Sequence, residues 1–211
     1  MRSLKDYWGL YLLAVFFASG IAGVLLFEKG EAELWLNIHW NPIADIFFKY
    51  FTYLGDGIAF VILIIFLMFI RYYYIVLTLI VIIIQTLIVQ GLKMQIFPDL
   101  DRPPFYFRNM PGLHFVEGVE LHFNQTFPSG HSATIFAMAT ILSIAIPNKK
   151  LTAVWYLIAI LVGISRVYLM QHFFIDIFFG AMIGIGVVCL IHWLLEKTSL
   201  KSSILLNKSI R

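Results

Sequence analysis

Repeated apolar runs, several of them long enough to cross a bilayer, constrain this chain more than any other feature. A spanning helix needs about 20 predominantly apolar residues. Runs of that character cover residues 7–27, 58–70 with a possible extension back towards 53, 73–92, 131–146, 151–168 and 174–195. The chain is 61% hydrophobic and only 13% charged, against about 45–50% and about 25% in soluble domains. A generous soluble core does not account for that excess. The expected fold is all-α: a polytopic membrane helix bundle of about six spans, forming one domain over residues 1–211 with no linker.

Between the first two runs lie acidic residues, Trp35, His39, Trp40 and the breaking pair Asn41-Pro42. Polar and apolar residues interleave there, as in a helix lying in the membrane interface, where tryptophan also concentrates. Arg2 and Lys5 before the first run, and the small residues Ala18-Ser19-Gly20 within it, resemble a signal peptide. The run is long for that purpose, so an uncleaved first span is expected. Residues 93–127, with prolines at 98, 103, 104 and 111, form the longest polar stretch, and ordered loops of that length tend to be lids or binding loops. The single cysteine, Cys189, excludes an internal disulfide framework and a cysteine-based metal cluster, and is expected as a small buried hydrophobe. The net charge of +3 comes without any dense basic block or aromatic–basic motif, so no nucleic-acid partner is expected.

Six spans place both termini on one side. That side would carry Arg2, Lys5, Arg71, Lys149, Lys150, Lys197, Lys201, Lys208 and Arg211, with Asp6 and Glu196 against them. The other side has fewer Lys and Arg and most of the acids, so the termini are expected in the cytoplasm.

Three clusters of chemistry-bearing residues then fall on the opposite, outer side. His172 and Asp176, four apart at a helix start, share one face. A carboxylate there can take the N–H of the imidazole and leave the other ring nitrogen as a nucleophile. Arg166, at the end of the preceding span, offers a planar donor fork suited to phosphate oxygens. The plainer alternative is that Arg166 and Asp176 only pair with each other inside the bundle. Pro128-Ser129-Gly130-His131 puts a hydroxyl, a helix start and a proton donor together. Taken alone it would read as a capping turn with an incidental histidine. Lys93 and Arg102-Pro103 add two cations and a rigid turn, although basic residues at span ends are ordinary anchors.

Together the three clusters resemble the type 2 phosphatidic acid phosphatase superfamily of membrane lipid phosphatases. The family pattern is a lysine and Arg-Pro, then Pro-Ser-Gly-His, then Ser-Arg, His and Asp. Pro128 to His131 match in full, and Ser165-Arg166, His172 and Asp176 match in every spacing. The motif-bearing core is residues 93–186. One departure is the distance from Lys93 to Arg102, longer than usual, which in the usual register would put Gln95 where the lysine belongs. A bulge around Phe97-Pro98-Asp99 would absorb it.

The resemblance implies that His172 attacks phosphorus, Asp176 orients it, and His131 protonates the leaving group. Lys93, Arg102, Arg166, the Ser129 hydroxyl and the Gly130 amide would hold the phosphoryl oxygens. It implies no cofactor and no metal, hence activity that survives EDTA. The expected substrate is a phosphomonoester or diphosphate of a lipid in the outer leaflet of what is expected to be a bacterial inner membrane. Phosphatidic acid, phosphatidylglycerol phosphate, undecaprenyl diphosphate and lipid A phosphate groups are all within the family. A lipid phosphotransferase using the same phosphohistidine is the enzymatic alternative, and a non-enzymatic lipid-phosphate carrier the alternative of a different class. A soluble haloperoxidase shares related motifs but not this hydropathy. His114, Glu117, Glu120 and His122 lie on no regular element and are expected to cover or select the headgroup rather than bind a metal.

Overall fold

The computed structural model describes residues 8–198 and 206–210. Arg2, Lys5, Asp6, Lys201 and Arg211 of the expected cytoplasmic side lie outside the described residues. Among the described residues nine α-helices follow one another: α1 Trp8–Leu26, α2 Glu31–Ile38, α3 Pro42–Phe51, α4 Gly57–Met68, α5 Tyr72–Gly91, α6 Pro103–Tyr106, α7 Gly130–Ala145, α8 Lys149–Tyr168 and α9 Phe174–Glu196. A 3-10 turn, Thr52–Gly55, links α3 to α4, and α5 runs into a π-helical turn, Leu92–Ile96. No strand occurs among the described residues. The all-α membrane bundle expected from the apolar runs is what forms.

The spans are less uniform than six straight crossings. α5 with its π-helical turn, α8 and α9 are each long and apolar enough to cross a bilayer. α1 and α2 reach that measure as a pair bent by 103°, and the 42–55 segment reaches it with α4 as a pair bent by 61°. α4 has 12 residues, so it rises about 18 Å of the about 30 Å of hydrocarbon. The single interfacial helix expected over residues 28–57 is instead α2, α3 and the 3-10 turn, because Asn41 caps a new helix and Pro42 occupies its first turn.

α7 is the axis of the bundle. Phe136, Ala137 and Ile141 on it are fully buried. One side of α7 packs with α1, α8 and α9 through Leu13, Phe16, Ala159, Ile177 and Phe178. The other packs with α4, α5 and α9 through Leu63, Leu67, Leu77, Val81 and Val188. Surrounded by protein, α7 can be short: its 16 residues rise about 24 Å. α9 meets α7 backbone to backbone at Gly180 and Gly184, where an added Cβ would lie 2.4 Å from Ser129 O and 2.3 Å from Ala133 O. Small residues one turn apart let two spanning helices approach this closely.

Cys189 is exposed on the outside of α9, not buried as expected. In an apolar solvent the lipid-facing surface is itself apolar, so hydropathy does not separate the two environments. At the end remote from the 93–127 loop, the described part of the tail straps the α4–α5 turn, with Tyr72 N donating to Lys208 O and Ile210 N to Met68 O.

Candidate active site

α5, α7, α8 and α9 all reach the same end of the bundle with their motif residues. The turn from α8 to α9 accounts for the Arg166-to-His172 spacing. Gln171 N and His172 N both donate to Arg166 O, at 2.8 and 3.2 Å, and Met170 adopts a left-handed φ of 56°. That conformation is uncommon outside glycine and reverses the chain so that His172 comes back beside Arg166. Phe173 then caps α9, and its N–H donates to Asp176 Oδ2 at 2.9 Å.

Asp176 is thereby locked before it meets the imidazole. The same Oδ2 takes a short hydrogen bond from the Thr126 hydroxyl and lies 3.3 Å from His172 Nδ1. Both side chains of the pair are 2% exposed. With Nδ1 turned to the carboxylate, Nε2 is the nitrogen left free. Burial, followed by the positive charges of Arg102, Arg166 and Lys93, holds the His172 imidazole well below its usual range. A neutral imidazole among cations is a nucleophile matched to an anionic electrophile.

The two arginines converge on a shared partner. Gln171 Oε1 lies 3.4 Å from Arg102 Nη1 and 3.4 Å from Arg166 Nη2. Arg102 also donates through Nε to Asn124 O at 2.9 Å and through Nη1 to Gln171 O at 3.1 Å. Arg166 Nη1 donates to Thr52 Oγ1 at 2.9 Å, while its Nε is buried without a partner among the described residues. No ion pair joins Arg166 to Asp176 among the described residues, so mutual neutralisation is not what holds them. Lys93 lies in the π-helical turn, 8% exposed, and its Nζ donates to Gln125 O at 2.7 Å. Gln95 is exposed. A π turn adds a residue to the helical turn that carries Lys93, a bend and turn over Phe97-Pro98-Asp99 follow where the bulge was expected, and the lysine facing the cluster is Lys93.

Ser129 is fully buried and caps α7, its Oγ accepting from Ser132 N at 3.3 Å and from the Ser132 hydroxyl at 3.1 Å. The capping alternative raised from the sequence is therefore met by its side chain, which retains its own O–H to donate. Gly130 opens α7, where the first amides have no intrahelical acceptor. The whole turn is tied to α9 by Ser129 N donating to Asp176 O at 3.0 Å.

His131 has a carboxylate of its own. Its Nε2 lies 2.7 Å from Asp56 Oδ1, in the link between the 3-10 turn and α4. Gly55 permits this approach, since a Cβ there would sit 3.1 Å from His131 O and 2.9 Å from Val162 Cγ1. Sequence reasoning counted Asp56 only among outer-side charges. A visible signal was its place between two glycines at the break of an apolar run. Gln171, beside the nucleophile within the motif, was passed over too. Nothing in the sequence singles out Thr126.

The 93–127 loop is strapped over this end. Its two limbs run together through Arg102 N to Phe123 O and Thr126 N to Leu100 O. His114 Nε2 meets Asp45 Oδ2 at 2.9 Å and its ring stacks on Trp40. Glu117 and Glu120 contribute backbone carbonyls, to Lys49 Nζ and Gln171 Nε2. No group of three or more His, Cys, Asp or Glu suited to a metal occurs among the described residues.

The family described as the PAP2 superfamily matches residues 71–199 of this chain. Among solved structures, LpxE of Aquifex aeolicus is similar with a TM-score of 0.70 and 29% identity, over 81% of this chain and 98% of that one. The first transmembrane PAP2 type phosphatidylglycerolphosphate phosphatase from Bacillus subtilis is similar with a TM-score of 0.62 and 25% identity, over 90% and 96% of the two chains. The bacitracin transport permease protein BcrC of Bacillus licheniformis is 28% identical over 81 residues, which are 38% of this chain and only 39% of that protein's length.

Proposed function

This chain belongs to the PAP2 superfamily, and from that premise we propose that it is a membrane phosphoric ester hydrolase that dephosphorylates a lipid through a phosphohistidine on His172. The observation that carries the reading is the buried His172–Asp176 pair, at 3.3 Å, set among Lys93, Arg102 and Arg166. The Aquifex and Bacillus subtilis proteins share its fold, and the latter is by its description a phosphatase of a lipid phosphate.

In the first step His172 Nε2 forms a bond to phosphorus as the bond from phosphorus to the leaving oxygen breaks. Asp176 accepts the Nδ1 hydrogen and steadies the charge on the ring. His131, held through Nε2 by Asp56, gives its Nδ1 proton to the leaving oxygen. In the second step the same nitrogen takes a proton from water, whose oxygen bonds to phosphorus while the phosphorus–nitrogen bond breaks. The products are an alcohol and inorganic phosphate. Phosphoryl transfer depends chiefly on positioning and charge stabilisation. Three cations and the Gly130 amide supply that stabilisation, and the orphaned Arg166 Nε is a donor ready for a phosphoryl oxygen. The site faces the outer side, by the bias of Lys and Arg towards the terminal side.

The test is phosphate release from a panel of candidate lipid phosphates by purified protein, without acceptor lipid. His172→Ala should abolish release and leave the folded protein intact. Release by that variant overturns the reading, and phosphate appearing only on an added acceptor lipid would make the protein a phosphotransferase. The carrier reading finds its support in the name of the BcrC relative, a transport permease protein, but it leaves the buried His172–Asp176 pair without a purpose.

A further inference from the structure

A slot of about 170 Å³ opens beside His131, between α4, α5 and α7, lined with Asp56, Gln85, Thr86, Gln90 and Thr134. Neither His172 nor Lys93, Arg102 or Arg166 lines it. Attacking and leaving atoms lie roughly in line on phosphorus, so the leaving group departs on the side of its proton donor, His131. The slot is where that group would rest. An apolar cavity of about 440 Å³ between α1, α2 and the start of α9 abuts Phe173 and lacks His131. The same in-line argument denies it the leaving group.

The lining of the slot is unlike the rest of α5. Thr86 and Gln90 share one face of α5, one turn apart, with Gln85 turned inward beside them, in a helix otherwise rich in Ile, Leu and Val. Polar side chains within a span are costly and usually functional. Gln85 is buried and ties α5 to α7, its amide nitrogen donating to Ala133 O at 3.2 Å and its amide oxygen accepting from Thr134 N at 3.3 Å. No hydrogen bond among the described residues engages the Gln90 amide. Asp56 brings the only carboxylate, and no Lys or Arg faces the slot. A second phosphate there would meet the Asp56 carboxylate, offset by no Lys or Arg among the lining residues and only by the His131 ring that the carboxylate already holds.

We infer that the slot is the leaving-group subsite and that it takes a neutral, hydroxyl-bearing leaving group, a glycerol or a sugar, in preference to a bare prenyl alcohol or a further phosphate. This deepens the phosphatase reading and rests on it.

The test compares kcat/KM for phosphate release from four lipids whose leaving groups differ: a glycerol, a sugar, a prenyl alcohol and a prenyl phosphate. The wild type should favour the two hydroxylated leaving groups and turn over the diphosphate least. Gln90→Leu should reduce the ratio of hydroxylated to prenyl-alcohol turnover by about tenfold, the scale of one lost hydrogen bond. Gln90 is exposed, so this variant reads the slot without disturbing the α5–α7 contact that Gln85 makes through its amide. A wild type that prefers the diphosphate overturns the inference. So does a Gln90→Leu variant that slows all four substrates equally, as a slot conducting only water would require. In either case loss of release in His172→Ala leaves the parent reading standing, whereas release by His172→Ala defeats that reading itself.

Discussion

Asp56 Oδ1 stands 2.7 Å from His131 Nε2, so the site contains two carboxylate–imidazole pairs joined through opposite ring nitrogens. In the other pair Asp176 meets Nδ1 of His172. The difference leaves Nε2 of His172 and Nδ1 of His131 as the free nitrogens, which the proposed reaction turns to phosphorus and to the leaving oxygen. The pairs also differ in exposure, since His172 and Asp176 are 2% exposed while His131 and Asp56 are 27% and 34% exposed. The proposed nucleophile is sealed, and the ring proposed to exchange protons with a leaving group and then with water is not.

Asp56→Asn should therefore slow the first step more than it weakens binding. General acid catalysis contributes about 10²–10⁴-fold, and misorienting the ring should remove part of that, roughly tenfold to a hundredfold in kcat. An aryl phosphate, whose leaving group needs less protonation, should lose less than an alkyl phosphate. Single-turnover rates of phosphohistidine formation on the two substrates measure it. Equal losses on both would mean that Asp56 serves only the fold.

The pH profile follows from the downward shift at His172. A lowered folded-state pKa means the ring stays neutral, and nucleophilic, as pH falls below the imidazole reference of about 6.5. The acid limb assigned to His172 should lie below that value. Phosphohistidine formation across pH 4–8 should show it, and a limb centred above 6.5 for this group would contradict the cationic setting. The stability contribution carries the same sign: it is present above the unfolded pKa and lost as pH falls from there towards the folded value.

The motifs were legible because their spacing is local. His172 and Asp176 are one helical turn apart, and Ser129 to His131 sit at a helix start, so sequence distance translates directly into geometry. The bundle was legible because its solvent is apolar. What escaped lies across long separations or depends on solvent that hydropathy cannot resolve. Asp56 reaches His131 from another helix, Thr126 reaches Asp176 from the far limb of a loop, and both depend on packing. Cys189 faces lipid where burial was expected. The π turn that seats Lys93 leaves no residue-type signature.

Lys93 and Gln95 make a direct comparison. Lys93→Met should lower kcat/KM by about 10²-fold, the usual loss for one preorganised donor to a developing charge. Gln95→Ala, at an exposed position beyond the cluster, should leave it unchanged. Phosphate-release kinetics on both variants decide the register. A large loss in Gln95→Ala with a silent Lys93→Met would place the lysine role elsewhere.

In the proposed reaction Lys93, Arg102 and Arg166 provide the charge that a divalent cation would otherwise supply, so dialysis against EDTA should leave kcat within about twofold. Abolition of turnover, with rescue by Mg²⁺, would require a metal that this donor set does not provide for.

Gly180 tests whether the α7–α9 contact sets the site. A Cβ there would lie 2.4 Å from Ser129 O and 2.9 Å from Ser132 Cβ, and the first of these is backbone that cannot rotate away. Gly180→Ala should cost about 1–3 kcal/mol, as overpacking does, read as a lower Tm in detergent. Activity should fall further than stability alone explains, because Ser129 N also holds Asp176 O and the displaced turn carries His131 with it. Gly186, on the same helix with nothing within 4 Å of its added Cβ, is the control. There alanine should be neutral or raise Tm by the helix propensity it gains. Equal behaviour of the two variants would show that the close approach at Ser129 is not what positions His131 against the phosphoryl group.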